Sequence, residues 1–181
     1  MAFIYPGIGD FAVIPISGNV GKLISFGEWL NGDGFGAYDH AEIYVGMADA
    51  NAPLGYTMGA YPGGATLVPV PQDQTGWLWS TGHINLTDDQ RSKIVQNALA
   101  CKGIPYSGLD YFALATHRLH VPAPFLKTYI ASTKHLICSQ LVDLCYDNAG
   151  VHLFNDNRWP GYVTPADLAN VILHPEQVVY A

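Results

Sequence analysis

An α+β fold, an antiparallel β-sheet or small barrel packed against helices, is what this sequence predicts, and three observations lead to it. Strand-like segments crowd the first half of the chain, helix-like segments fill the second, and the composition suits one turn-rich core. The 181 residues are 49% hydrophobic and 13% charged, with 19 glycines and 12 prolines, so a single domain over 1–181 is expected rather than a disordered chain or two cores.

The elements follow in order. "GDFAVIPI" (9–16) alternates weakly and reads as a strand, with Ser17 a candidate cap for a short, glycine-diluted helix in "GNVGKLISFGEWLNG". "YDHAEIYVGM" (38–47) alternates more cleanly, placing His40, Glu42 and Tyr44 on one face and Asp39, Ala41, Ile43 and Val45 on the other. "LGYTMGAY" (54–61), "ATLVPVP" (65–71) and "GWLWSTG" (76–82) are short, bounded by Gly, Pro and Asn, and predict an antiparallel meander. In "LTDDQRSKIVQNALACKG" (86–103), Thr87 and Gln90 form a capping box, two acids occupy the first turn and Gly103 marks the stop, which defines a helix. Helices are also expected in "SGLDYFALATHRLH" (107–120), in "APFLKTYIAS", and from "KHLICSQLVDLC" on to Gly150. A last one is expected in "TPADLANVIL" (164–173), with Thr164 as cap and Pro165 at the first helical position.

Charge and cysteine usage exclude several classes. Eight Lys and Arg against 15 Asp and Glu give a formal charge of -7 with no basic cluster to neutralise a phosphate backbone, so nucleic acid is not an expected partner. The opening "MAFIYPGIGDFAVIPIS" lacks a basic leader and is broken by Pro6, Gly7, Gly9 and Asp10. Neither a signal peptide nor a transmembrane segment is expected, and the location expected is cytoplasmic or, for a phage-encoded protein, virion-associated. Three cysteines without a leader argue for free thiols rather than a disulfide framework.

Among the residues able to do chemistry, Cys145 falls in the apolar stripe of its helix with Leu141 and Val142, and Cys101 closes the stripe of the earlier one, so both read as core. Cys138 differs: it stands near a helix start, where free N–H groups and the positive end of the dipole favour thiolate. A buried structural role for it stands beside that reading. His40 has two readings as well, a functional group or part of a sheet face open to water. His117 and His120, three residues apart, could share a helix face, but no further ligands follow at metal-site spacing, so no metal or other cofactor is expected.

Five segments in this order, Gly9-Asp10, "DHAEIYVG", "GIPYSGLDY", "ICSQLV" and "YVTPADLA", resemble the circularly permuted branch of the papain-like NlpC-type cysteine hydrolases, a group related to the lecithin:retinol acyltransferase-like enzymes. The resemblance spans nearly the whole chain and implies a permuted papain-like fold, with Cys138 as nucleophile and His40 as general base. It implies a thioester route to cleavage of an amide or peptide bond, for example in bacterial cell-wall peptide, or of a small acyl substrate. By the same token Tyr106, in the "P-Y" position, would sit near the oxyanion or the substrate, or else simply pack at a helix entry. The chain departs from the pattern at Gly59, where the family carries the polar residue that orients the histidine. Thr57, Tyr61, a backbone carbonyl or Glu42 would have to substitute. Of these, Glu42, two residues along the same face, is expected to touch substrate rather than the far ring nitrogen. A second departure is the long interval between Tyr106 and Cys138, whose Pro-flanked "VPAPFLKTYIAS" would form a wall or lid over the cleft. The alternatives are a non-catalytic binding or structural module of the same fold, such as a virion component, a thioester or lipid-amide hydrolase, and a metal-dependent hydrolase built on His117 and His120.

Overall fold

In a computed structural model of the chain, the residues described are 5–15, 38–61, 63–104, 138–155 and 163–180. They form a mixed α+β structure with an antiparallel sheet and three helices. In chain order the elements are β1 (Phe11–Ile14), β2 (His40–Gly46), β3 (Tyr56–Tyr61), β4 (Gly64–Pro69), β5 (Leu78–Trp79), α1 (Asp88–Ala100), α2 (Cys138–Asp147), β6 (Val151–His152), α3 (Pro165–Leu173), a 3-10 turn (Pro175–Gln177) and β7 (Val179–Tyr180). The helices expected after Ser17, over 107–120 and in "APFLKTYIAS" lie outside the described residues.

Strands β1 to β4 are sequential neighbours, but the expected meander does not continue into β5. The sheet order is β4-β3-β2-β1-β5, so the chain leaves β4 and adds its last strand at the opposite edge. Pro69 ends β4, and proline, which has no N–H to donate, belongs on an edge strand. The β5 segment instead finds donors and acceptors beside β1. Ala12 pairs with Trp79, the Ser80 N–H donates to the Phe11 carbonyl at 2.8 Å, and the Phe11 N–H donates to Ser80 Oγ at 2.9 Å. The small β6–β7 ladder, two residues on each side, is an addition the sequence pattern did not announce.

Helix boundaries follow local chemistry. Thr87 and Gln90 cap α1 reciprocally, and Thr164 and Asp167 do the same for α3, which also starts on Pro165. One face of β2, Ala41, Ile43 and Val45, joins Phe11, Val13 and Met58 in a core with Ile94 and Ala98 of α1 and Leu141, Val142, Cys145 and Tyr146 of α2. That packing sets α2 against β2 and β3. Among the described residues no helix is long and apolar enough to cross a membrane.

A buried polar knot fixes the sheet to α1 and α2. Asp10, 1% exposed, accepts from the Gly7 N–H and the Thr81 hydroxyl, both at 2.8 Å, and pairs with Arg91 of α1 at 2.7 Å. The same guanidinium donates to the Ile8 carbonyl at 2.8 Å. Gly9 beside it has φ +84°, and a Cβ there would stand 3.2 Å from the Arg91 Cα, so both conformation and space call for glycine. Its N–H donates to the Tyr44 carbonyl of β2 at 2.8 Å, and its carbonyl accepts from the buried Tyr146 hydroxyl of α2 at 2.7 Å. Substituting Asp10→Ala strips three donors of their acceptor and leaves Arg91 without its counter-charge. The expected loss is about 2–4 kcal/mol in urea unfolding. A loss within the few tenths typical of a surface site would show that the knot is not structural.

Candidate active site

Period-two alternation puts His40, Glu42 and Tyr44 on the second face of β2, as expected, but that face is not open to water. His40 is 5% exposed and Glu42 1%, so two ionisable groups are buried side by side on one strand. Register brings Gly59 of β3 opposite Glu42 and Thr57 opposite Tyr44, with Tyr61 further along the same face.

The Glu42 carboxylate is where these side chains converge. Thr57 Oγ1 donates to Oε2, with the Val68 carbonyl 3.3 Å away as a second acceptor, and the Tyr61 hydroxyl donates to Oε1. His40 Nε2 stands 3.2 Å from that same Oε1. The distance is that of an ion pair, although Nε2 has no well-aligned hydrogen-bond partner. The Tyr61 ring covers the imidazole, centroids 4.5 Å apart and planes inclined by 50°.

This arrangement corrects the expectation for Glu42. Its carboxylate faces the far ring nitrogen of His40 rather than a substrate, and the physical reason is Gly59. A Cβ at that position would lie 2.9 Å from Tyr61 Cε2, 3.0 Å from Glu42 Cγ and 3.1 Å from His40 Nε2. The absent side chain is the space that lets the three meet. Thr57 and Tyr61, the other candidates for orienting His40, commit their hydroxyls to Glu42 instead.

Cys138 is the first described residue of α2 and is fully buried. Its side chain is hydrogen-bonded to His40. With Nε2 turned to Glu42, Nδ1 is the nitrogen left for the thiol. Burial by itself pulls the imidazole downward. The Cys138 charge and hydrogen bond, followed by the hydrogen-bonding and charge contributions of Glu42, overcome it and raise His40 to about 10. The imidazolium is therefore the form held at neutral pH. Ser139, next to Cys138, donates to the Val163 carbonyl at 2.6 Å, which ties α2 to the residue before the Thr164 cap of α3.

Cys101 and Cys145 are buried elsewhere and hydrogen-bond each other, and the bond to Cys101 together with burial pushes the Cys145 thiol up. Gly103 and Ile104 add a short backbone pairing to β4, with the Gly103 N–H donating to the Ala65 carbonyl and the Ala65 N–H to the Ile104 carbonyl, both at 2.8 Å. Tyr106 follows two residues later and lies outside the described residues, as do His117, His120 and the "VPAPFLKTYIAS" segment. Among the described residues no group of three or more His, Cys, Asp and Glu side chains is placed to hold a metal ion. No family model matches the chain, and a comparison with curated proteins finds no relative.

The causes acting on His40 yield a prediction independent of any substrate. Substituting Cys138→Ala removes the two strongest upward influences and leaves burial opposed by Glu42 alone, so the His40 ring should titrate well below about 10. NMR of the labelled imidazole reads this directly; an unchanged titration would mean that Cys138 carries no charge beside His40.

Proposed function

We propose that the chain is a cysteine-dependent hydrolase of an amide or peptide bond, with Cys138 as nucleophile, His40 as proton carrier and a permuted papain-like fold. The single observation that carries this reading is the buried Cys138–His40 hydrogen bond, with the imidazole raised to about 10. The five ordered sequence segments that resemble the permuted NlpC-type hydrolases support it independently.

The chemistry follows from the charges. The Cys138 sulfur attacks the substrate carbonyl carbon and a C–S bond forms, while the carbonyl oxygen takes the negative charge near the first N–H groups of α2. The C–N bond then breaks, and the proton on the His40 imidazolium passes to the departing amine. Once the sulfur is tied up as a thioester, its charge is gone. Burial then pulls the imidazole down against Glu42 alone, and the neutral ring can take a proton from water. Hydroxide adds to the thioester carbon, the C–S bond breaks, the acid is released, and thiolate and imidazolium are restored. Loss of the thiolate charge is thus what changes His40 from acid to base within one cycle.

A small peptide or acyl substrate fits this route, and the Cys/His pair treats amide, thioester and lipid amide alike. The complete burial of Cys138 favours a second reading, a binding or structural module in which the pair holds the helix to the strand. Reactivity separates the two. For a hydrolase, Cys138→Ala abolishes amide turnover. In the wild-type chain, iodoacetamide labels Cys138 in a His40-dependent manner, with an alkaline limb near 10 where the imidazolium loses its proton. Labelling of Cys138 that is slow, and the same in His40→Ala, would establish the structural module instead.

A further inference from the structure

An imidazole that shuttles protons must keep one ring nitrogen aimed at the thiol through both halves of the cycle, and something must hold the other. Across the sheet, the position from which a neighbouring strand would supply that group is Gly59, which has no side chain to offer. We infer that Glu42 is the positioning residue for His40, supplied from the histidine's own strand, and that Gly59, its register partner, is the vacancy that makes room for it. The inference rests on the reading of Cys138 and His40 as nucleophile and proton carrier.

Three observations carry it. The first is that Oε1 lies 3.2 Å from Nε2, a nitrogen with no aligned hydrogen-bond partner of its own. A strand-mate two residues away ordinarily runs parallel to its neighbour rather than toward it, so the approach needs the carboxylate to be pulled across. The second is that two donors do this: Thr57 holds Oε2 and Tyr61 holds Oε1, and both come from β3, so the sheet register sets the carboxylate's position. Thr57 is fully buried, and the only other acceptor shown for its hydroxyl among the described residues is the more distant Val68 carbonyl at 3.3 Å. The third is the space at Gly59, bounded by Glu42 Cγ, His40 Nε2 and the Tyr61 ring at 2.9 to 3.1 Å from where a Cβ would stand. Contact that tight on three sides, all belonging to one constellation, is what a position kept empty for packing of polar groups looks like.

Tyr61 has two tasks in this arrangement. Its ring shields the imidazole from one side, and its hydroxyl competes with His40 for Oε1. Among the described residues, the titratable groups facing His40 are Cys138 of α2, Glu42 of β2 and Tyr61 of β3. Changes at positions 42 and 61 should therefore move His40 in opposite directions. Loss of the carboxylate charge removes an attraction for the imidazolium, whereas loss of the Tyr61 hydroxyl leaves Oε1 more fully to His40. A purely structural role for Glu42 gives no such pair of signs.

The test uses the full-length chain and two readouts that need no known substrate: the rate of Cys138 alkylation by iodoacetamide against pH, and the titration of the His40 ring by NMR. Glu42→Gln keeps the size of the side chain and should lower the ring titration by about one unit, and with it the pH at which the alkylation rate changes as the imidazolium loses its proton. Tyr61→Phe keeps the ring over His40 and should shift the titration upward. Wild-type alkylation that depends on His40, together with an unmoved limb and titration in Glu42→Gln, would overturn the positioning role alone. His40-independent alkylation in the wild type would overturn the hydrolase reading and this inference with it. Should Glu42→Gln fail to fold, Tyr61→Phe decides: an upward shift supports the role, and no shift overturns it.

Discussion

Burial makes an imidazole costly to charge, and the candidate site is organised around that cost. His40 is almost entirely removed from water, which by itself would leave it neutral, yet Cys138 of α2 and Glu42 on its own strand make the protonated ring the stable form. The ring is held between two anions that differ in permanence. Glu42 is fixed in place by Thr57 and Tyr61, whereas the charge on Cys138 exists only while the sulfur is free. Under the proposed hydrolase reading, consuming the charge on Cys138 is what changes the proton affinity of the ring.

That arrangement depends on where α2 sits relative to β2, and the scaffold controls this through few contacts. Tyr146, two turns beyond Cys138, donates to the Gly9 carbonyl, and the Gly9 N–H donates to the Tyr44 carbonyl of β2. One glycine thus bridges the helix of the thiol and the strand of the imidazole. Asp10 and Arg91 lock that glycine's turn to α1, while the Phe11 and Tyr146 rings meet edge to face at 5.5 Å behind it. The Gly9-Asp10 pair is some distance along β2 from His40, and its part is to set the registration of the elements rather than to touch reacting atoms.

Much of this was legible in the sequence where local chemistry decides structure. Alternation in "HAEIYVG" placed His40 and Glu42 on one face, and the Thr87–Gln90 pair and the Thr164 cap before Pro165 marked helix starts. Two things were not legible. The edge that β5 joins is chosen by pairing with β1 across some 65 residues of chain, which no short window records. The role of Gly59 was hidden for a similar reason: a missing side chain acquires meaning only once the register sets it opposite Glu42 and beside His40. What read as a gap in the pattern is, in three dimensions, the room in which the carboxylate reaches the ring.

The central claim is that the Cys138 sulfur, paired with His40, forms and releases an acyl bond. Its most direct test is rapid-quench mass spectrometry of the chain mixed with an activated acyl ester. A single acyl adduct, mapped to Cys138, should form and decay in the wild-type chain, with none on the buried thiols Cys101 and Cys145. Acylation spread over all three cysteines, or no adduct on Cys138, would contradict it.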